Sequence, residues 1–358
     1  MKGKRVAGRA RPKVFLRSAI VLYVVLWLGS SLVFFQLRHH GRPGGDSAEM
    51  TVLLRMYSGV TVYYYRSPLT YAVHQFAYSI LAPHGWSPSD TIALCSSLAG
   101  GFYLCILVSF SLHPLFLLAN LLSGVMYVFL GHVETYAWVS MALALYCLVA
   151  SRYLKGRAAL WQVVGVYFLA CLFHMLVLFY LPSLLYLVFN LERKGAKRRV
   201  ALRVSQPELA KALVVFLGFA FIITVVPLLV YITPGLDVNR SRLVPLFRNP
   251  NPQRYYFTMF SLDHMKMFFY FIRMASVASP VVLIVFWRQI EGRVHTFLLL
   301  AVGCGLLFAF IWHPDMHKPD WDLFSNFAIP LNLLVGLLLE KRFPMPWVGR
   351  LKSYVFTS

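Results

Sequence analysis

Long apolar runs separated by short polar segments repeat along almost the whole chain. A helix needs roughly 20 mostly apolar residues to cross a bilayer, so the pattern predicts about ten spans. They fall near residues 14–36, 91–111, 115–131, 136–151, 159–173, 175–190, 211–232, 267–287, 294–312 and 326–340. One further apolar stretch, Pro68 to Leu81, is too short to cross and contains His74 and Gln75. It is expected to form an interfacial helix in the first outer loop. The run from Val14 to Phe35 is too long for a signal-peptide core and is followed by no small-residue cleavage site, which predicts an uncleaved anchor. The fold class expected is an all-α polytopic membrane protein, with one transmembrane domain over residues 1–358.

Charge orients this pattern. Cytoplasmic loops of membrane proteins are rich in Lys and Arg. With the N-terminus inside, residues 1–13 form a basic cytoplasmic tail. The turns at Arg152–Arg157, Arg193–Arg203, Arg288–Arg293 and Lys341–Arg342 then all fall inside, as does the basic tail 343–358. About 23 of the 34 Lys and Arg lie on that side, as the rule requires. Of the 13 acids, only Glu192, Glu208, Glu291 and Glu340 do. Two long segments, 37–90 and 233–266, are outer loops. Both termini are expected in the cytoplasm.

The formal net charge of +21 would point to nucleic acid in a soluble protein. Here the basic residues sit in short turns between apolar runs, 59% of residues are hydrophobic and only 13% are charged, so no nucleic-acid partner is expected. Cys95, Cys105, Cys147, Cys171 and Cys304 all lie in apolar runs, which excludes a disulfide framework and a zinc site of cysteines.

Four outer segments carry polar groups that packing does not require. The first is Gly44-Gly45-Asp46-Ser47-Ala48-Glu49, directly after the first run. If a helix starts at Ser47, Asp46 and Glu49 share its first turn, where the helix dipole favours negative charge; the alternative role is a simple cap. The second is Gly131-His132-Val133-Glu134-Thr135-Tyr136, which reads as a candidate acidic site or as a solvated turn. The lone His174 after the fifth run is read as a packing residue. The third is the loop 233–266, where Arg240, Arg242, Arg248 and Arg254 together break the positive-inside pattern. Guanidinium groups grip phosphate oxygens in pairs, so these arginines suit an anionic substrate; contact with outer-leaflet headgroups is the competing role. Asp263 and His264 belong to the same loop. The fourth is His313-Pro314-Asp315-Met316-His317-Lys318-Pro319-Asp320-Trp321-Asp322. Its composition resembles a metal site, but its prolines rule out regular helical ligand spacing. A polar substrate-binding loop offering His317, Lys318, Asp320 and Asp322 is the favoured role, with a divalent metal as the alternative and no cofactor expected.

In arrangement the chain resembles the GT-C superfamily of polytopic glycosyltransferases, which use polyprenyl-phosphate sugars. The resemblance rests on Gly45-Asp46-Ser47-Ala48-Glu49 in a long first outer loop, on the short helix expected at Pro68 to Leu81, and on His132-Val133-Glu134-Thr135-Tyr136 in the next outer loop. Phe260-Ser261-Leu262-Asp263-His264 and Asp320-Trp321-Asp322-Leu323-Phe324 resemble an uncharacterised bacterial branch. The resemblance implies a transferase acting on the extracytoplasmic face of a bacterial inner membrane, with inversion. The implied partners are a polyprenyl-phosphate-linked sugar, a glycan, lipid or protein acceptor, and membrane lipids. Asp46, Glu49 and Glu134 are the catalytic candidates, and His132 joins the residues named above as substrate-binding. The competing functions are a transporter or flippase for a lipid-linked glycan and a glycan polymerase or ligase. A transporter would show internal repeats and polar groups at mid-membrane; no repeat is evident and the acids gather at one face.

The topology is directly testable. A cysteine probe at Asn251 is expected to react with an impermeant thiol reagent added from outside, and one at Gly195 is expected to be spared. The reverse labelling pattern would overturn the arrangement.

Overall fold

A computed structural model describes residues 12–40, 47–56, 62–64, 66–194, 197–202, 204–229, 231–232, 243–248, 257–314 and 318–347. The apolar runs become helices, several opening at a serine or proline that the local sequence supplies. Ser87 accepts a hydrogen bond from the Asp90 N–H with Pro88 behind it, and Ser261 does the same for His264. In chain order the helices are α1 (Pro12–Gln36), α2 (Ser47–Met56), α3 (Pro68–Leu81), α4 (Pro88–Phe110), α5 (Pro114–Leu121), α6 (Tyr136–Leu154) and α7 (Leu160–Phe173). They continue with α8 (Leu181–Val188), α9 (Gln206–Leu229), α10 (Leu262–Ala275), α11 (Ala278–Phe286), α12 (Gly292–Ile311), α13 (Trp321–Phe324) and α14 (Ala328–Arg342).

Among the described residues, five helices are long and apolar enough to cross a membrane: Pro88–Phe110, Tyr136–Leu154, Gln206–Ile223, Gly292–Ile311 and Trp321–Arg342. The pair α10 and α11 would add a sixth if it makes one span. The other expected spans coincide with α1, with the shorter apolar helices Leu160–Phe173 and Met175–Val188, and with α5 followed by a 3-10 segment at Gly124–Phe129. Two expected spans are therefore not continuous helices. The run 115–131 breaks at Ser123, and the run 267–287 bends by 91° between Ala275 and Ala278. Backbone breaks of this kind are tolerated in an apolar setting where neighbouring groups satisfy the freed polar atoms.

Side chains of α14 and α5 supply those groups. The Asn332 side chain of α14 accepts hydrogen bonds from Ser276 and Ser279 at 2.8 and 2.6 Å, on either side of the α10–α11 bend. It donates to Ser123 Oγ at 2.7 Å, and Ser123 in turn donates to the Ala275 carbonyl at 2.7 Å. Asn120 reaches the Asn332 carbonyl at 3.4 Å. Gly124 lies so close to Met274 that any side chain there would meet its carbonyl oxygen. The main core is built around these helices, with Tyr103, Phe116, Phe129, Phe297 and Phe327 among its fully enclosed rings. Trp27 of α1 stacks on Phe102 of α4 at 4.5 Å, and Gly101 lets the two helices approach without a Cβ between them.

Strands are few. Val62–Tyr63 (β1) and Tyr231–Ile232 (β4) pair in parallel, while Phe189–Lys194 (β2) and Lys197–Leu202 (β3) form an antiparallel ribbon. The strongest basic run, expected as a simple turn, thus carries a hairpin. The β1–β4 pair joins the first long loop to the segment that enters the second. At the same end Met175 N–H donates to the Arg66 carbonyl, and Val244 N–H to the Ile311 carbonyl. At the opposite end the His113 ring meets the Phe343 carbonyl at 2.9 Å, and Lys341 pairs with Glu291 at 2.8 Å. The expected outer segments that are described therefore meet at one end, called here the loop end, and the basic turns at the other.

Replacing Asn332 by Leu keeps the branched shape, in a somewhat larger side chain, but leaves two buried serine hydroxyls without their acceptor. A loss of about 1–3 kcal/mol per unsatisfied group is expected, read as a lowered thermal midpoint of the purified protein in detergent. An unchanged midpoint would show that the knot does not hold the bend.

Candidate active site

Two polar segments far apart in sequence meet at the loop end. His132 and Glu134 lie in the turn before α6, and Asp322 lies in the short α13 that leads into α14. The His132 Nε2 atom is 2.6 Å from Asp322 Oδ2, a buried charge-assisted contact in which the ring N–H donates to the carboxylate. Glu134 completes the group: ligand atoms of all three side chains lie within 4.8 Å of one another. All three residues are at most 3% exposed.

Local packing explains how they are held. Gly131 takes a left-handed conformation with φ of 66°, and a side chain there would collide with that of Arg38. The Ser96 hydroxyl of α4 donates to the His132 carbonyl at 2.6 Å, fixing the turn from below. Val133, between His132 and Glu134, packs instead against a small apolar cluster of Met50, Leu54, Tyr64, Tyr71 and Ile92. That alternation leaves His132 and Glu134 to face Asp322. The Asp322 carboxylate is aimed by its second oxygen, which accepts from the Leu323 N–H at 2.8 Å. The Ser325 hydroxyl donates to the Asp322 carbonyl at 2.7 Å, and Trp321 lies 6.3 Å from the His132 ring.

The other predicted residues are distributed as follows. Asp46, Arg240, Arg242, Arg254 and His317 lie outside the described residues. A helix does begin at Ser47, and the Glu49 backbone lies in its first turn. Asp320 is buried beside α13. Arg248 is exposed, and Asp263 is exposed and pairs with Lys266 at 3.4 Å. His264 packs against Phe257 and Phe310, at 4.8 and 5.0 Å, and Lys318 sits 5.6 Å from the Tyr270 ring. Of the predicted substrate-binding residues, only His132 and Asp322 are brought together with Glu134 among the described residues. Sequence reasoning missed Ser96, whose role is to hold a backbone carbonyl and has no sequence signal. It also missed the ion pair of Arg38 with Asp90 at 3.5 Å.

The same fold occurs in ArnT from Cupriavidus metallidurans. The apo structure of that protein matches with a TM-score of 0.56 at 14% identity, and the structure bound to undecaprenyl phosphate with 0.52 at 15%. Each comparison covers 93% of this chain and 62% of ArnT, so the chain spans about three fifths of its neighbour's length. At that identity the likeness shows a shared fold. It matches no family model and no curated protein.

Two histidines of α3 and the end of α7 are buried as neutral rings. His174 caps α7 beside Tyr136, and His74 of α3 has both ring nitrogens without a partner among the described residues. Burial lowers both to about 3, with the Arg66 charge adding to the effect on His174. In an unfolded chain each would titrate near 6.5. Their contribution to stability is therefore complete above about pH 6.5 and is lost as the pH falls from there toward 3. The thermal midpoint in detergent is expected to drop between pH 7.5 and pH 5, and to drop less in a His74→Leu variant. An equal drop in both proteins would refute the assignment for His74.

Proposed function

We propose that this protein is a membrane glycosyltransferase that moves a sugar from a polyprenyl-phosphate donor to an acceptor hydroxyl on the extracytoplasmic face. The observation that carries the reading is the buried group of His132, Glu134 and Asp322 at the loop end of a fold shared with ArnT. One ArnT structure holds undecaprenyl phosphate, which supports a polyprenyl phosphate as the lipid partner. In this reading the spans number about ten, as a bilayer crossing of roughly 20 residues suggests. The α3 helix lies in the interface, and both termini face the cytoplasm of a bacterial inner membrane.

The chemistry follows from the charges. The acceptor oxygen attacks the anomeric carbon from the side opposite the phosphate, and the bond from that carbon to the phosphate oxygen breaks with inversion. The electron pair leaves with the phosphate, where Arg240, Arg242, Arg248 and Arg254 stabilise it. A carboxylate, Asp46 with Glu49 close in sequence, takes the acceptor proton. Glu134 completes the acidic side of the site. His132, Asp263, His264, His317, Lys318, Asp320 and Asp322 contribute to binding the sugar and the acceptor.

The test is release of polyprenyl phosphate from a panel of polyprenyl-phosphate sugars by the purified protein. Asp46→Asn keeps the shape of the residue and removes the base, so a loss of about 10²–10⁴ in rate is expected with normal expression. Glu134→Gln should also impair transfer, whereas Glu291→Gln at the other end should match the wild type. An Asp46→Asn protein with the wild-type rate would refute the catalytic assignment, and a panel with no active donor would refute the function.

A further inference from the structure

We propose that the groove beside the α10–α11 bend binds one anionic phospholipid of the surrounding bilayer, with Arg273 holding its phosphate and an acyl chain lying along α5 and α14. The inference does not rest on the transferase reading; it needs only the membrane setting that the apolar helices supply.

The groove is a product of the two broken runs. α5 ends just before Ser123 and α10 turns into α11 after Ala275, which leaves a gap of about 570 Å³ between α5, the bend and α14. Pockets of roughly 300–1,000 Å³ hold small organic ligands. The inner wall is the hydrogen-bonded knot: Ser276 and Ser279 are engaged by Asn332, and Ser123 by the Ala275 carbonyl. The outer rim is apolar and open to the side. Leu122 is 81% exposed and Val277 68%, which marks a surface made for lipid or for a partner, not for water.

One cation enters this apolar place. Arg273 lines the groove on the exposed face of α10, one turn after the exposed Phe269. It lies inside an apolar run and not at its end. Ser276, one turn on, is bonded at 2.8 Å to Asn332, which stands about midway along the span Trp321–Arg342. An arginine within a span is costly and calls for an anionic or polar partner. Among the described residues Arg273 has no ion pair, hydrogen bond or ring contact, and no carboxylate lines the groove. Tyr127 lines the same groove, and its hydroxyl is equally free among the described residues.

Charge and length identify the occupant. The lining carries one formal positive charge and no negative one, the complement of a phosphodiester monoanion, whose oxygens a guanidinium grips in pairs. Helical side chains lean toward the helix N-terminus, which carries the Arg273 guanidinium toward the loop end, where α10 begins. From there the groove continues past the bend to Val335 and Leu339 of α14 and Leu115 of α5. At about 1.5 Å per residue the path from Arg273 to Leu339 is roughly 15 Å. That is half of a hydrocarbon core of about 30 Å, the depth that one leaflet's chains fill. A chain seated there covers the knot on the side that the helices leave open.

The experiment uses the full-length protein in detergent, incubated with equimolar dioleoyl phosphatidylglycerol and dioleoyl phosphatidylcholine. The lipid that stays bound is counted by native mass spectrometry. One phosphatidylglycerol per chain is expected, favoured about fivefold over phosphatidylcholine, as one cation near anionic lipid implies. Arg273→Gln should abolish the preference, while Arg288→Gln, at the far end of α11, should keep it. Phosphatidylglycerol should also raise the thermal midpoint of the wild type and leave that of Arg273→Gln unchanged, an effect that diffuse surface charge would not give. Equal retention of the two lipids by the wild type would overturn the proposal, and this result does not depend on whether any variant folds. A preference that survives in Arg273→Gln would overturn it as well. Displacement of phosphatidylglycerol by an equimolar polyprenyl phosphate would overturn the phospholipid as the occupant.

Discussion

The amide of Asn332 is the point on which the arrangement of this bundle depends. An amide in the middle of an apolar helix needs partners, because unsatisfied polar groups are expensive where no water reaches. Its partners are Ser123, Ser276 and Ser279, and each stands at a place where a neighbouring helix is broken. The knot therefore ties α14 to the α5 break and to the α10–α11 bend at once. Single hydrogen bonds between membrane helices are worth about 0.6–2 kcal/mol. Several meeting at one residue hold a geometry that none would hold alone.

That geometry reaches the candidate site along two paths. From Ser123 the chain runs through the 3-10 segment to Gly131 and His132. From Asn332 it runs back through the start of α14 to Asp322. The two paths are joined at the knot by Asn332 and Ser123, and joined again at the loop end by His132 and Asp322. A frame closed at both ends leaves little freedom for the side chains it carries. Phe271 of α10 stacks on Phe324 of α13 at 4.4 Å and braces the same frame from the side. In the proposed transferase, the preorganisation that electrostatic catalysis needs would thus be supplied by packing well away from the candidate site.

Much of this was legible from apolar run lengths and charge. The runs near 91–111, 136–151 and 294–312 correspond to α4, α6 and α12, because about 20 apolar residues bounded by Ser-Pro, Tyr or Gly have few other solutions. The stretch Pro68 to Leu81 is helical over the bounds expected of it, since the proline fixes its first turn. The run 267–287 reads as one span by its length, although Pro280 marks a break, since in a continuous helix its ring would clash with the Ser276 carbonyl. What the run does not show is the partner on another helix, Asn332, that accepts from the serines at that bend. Likewise Arg193–Arg203 reads as a charged turn, while the ribbon it forms depends on cross-strand pairing that charge counts do not reveal.

For the site, the sequence determined the chemistry available. His132, Glu134 and Asp322 each stood out as a polar residue at the end of an apolar run, where burial was not required. Run length and the positive-inside pattern also assigned both segments to one face, since helix length and loop charge are local properties. Tertiary structure decided which of the polar segments meet. Among the described residues it joined the second to the fourth, and it set His264 among aromatic rings instead. The reason is that a contact between residues 190 positions apart is made by the packing of whole helices. The sequence specifies that packing only through residues such as Asn332 and Gly124, whose meaning appears once their partners are in place.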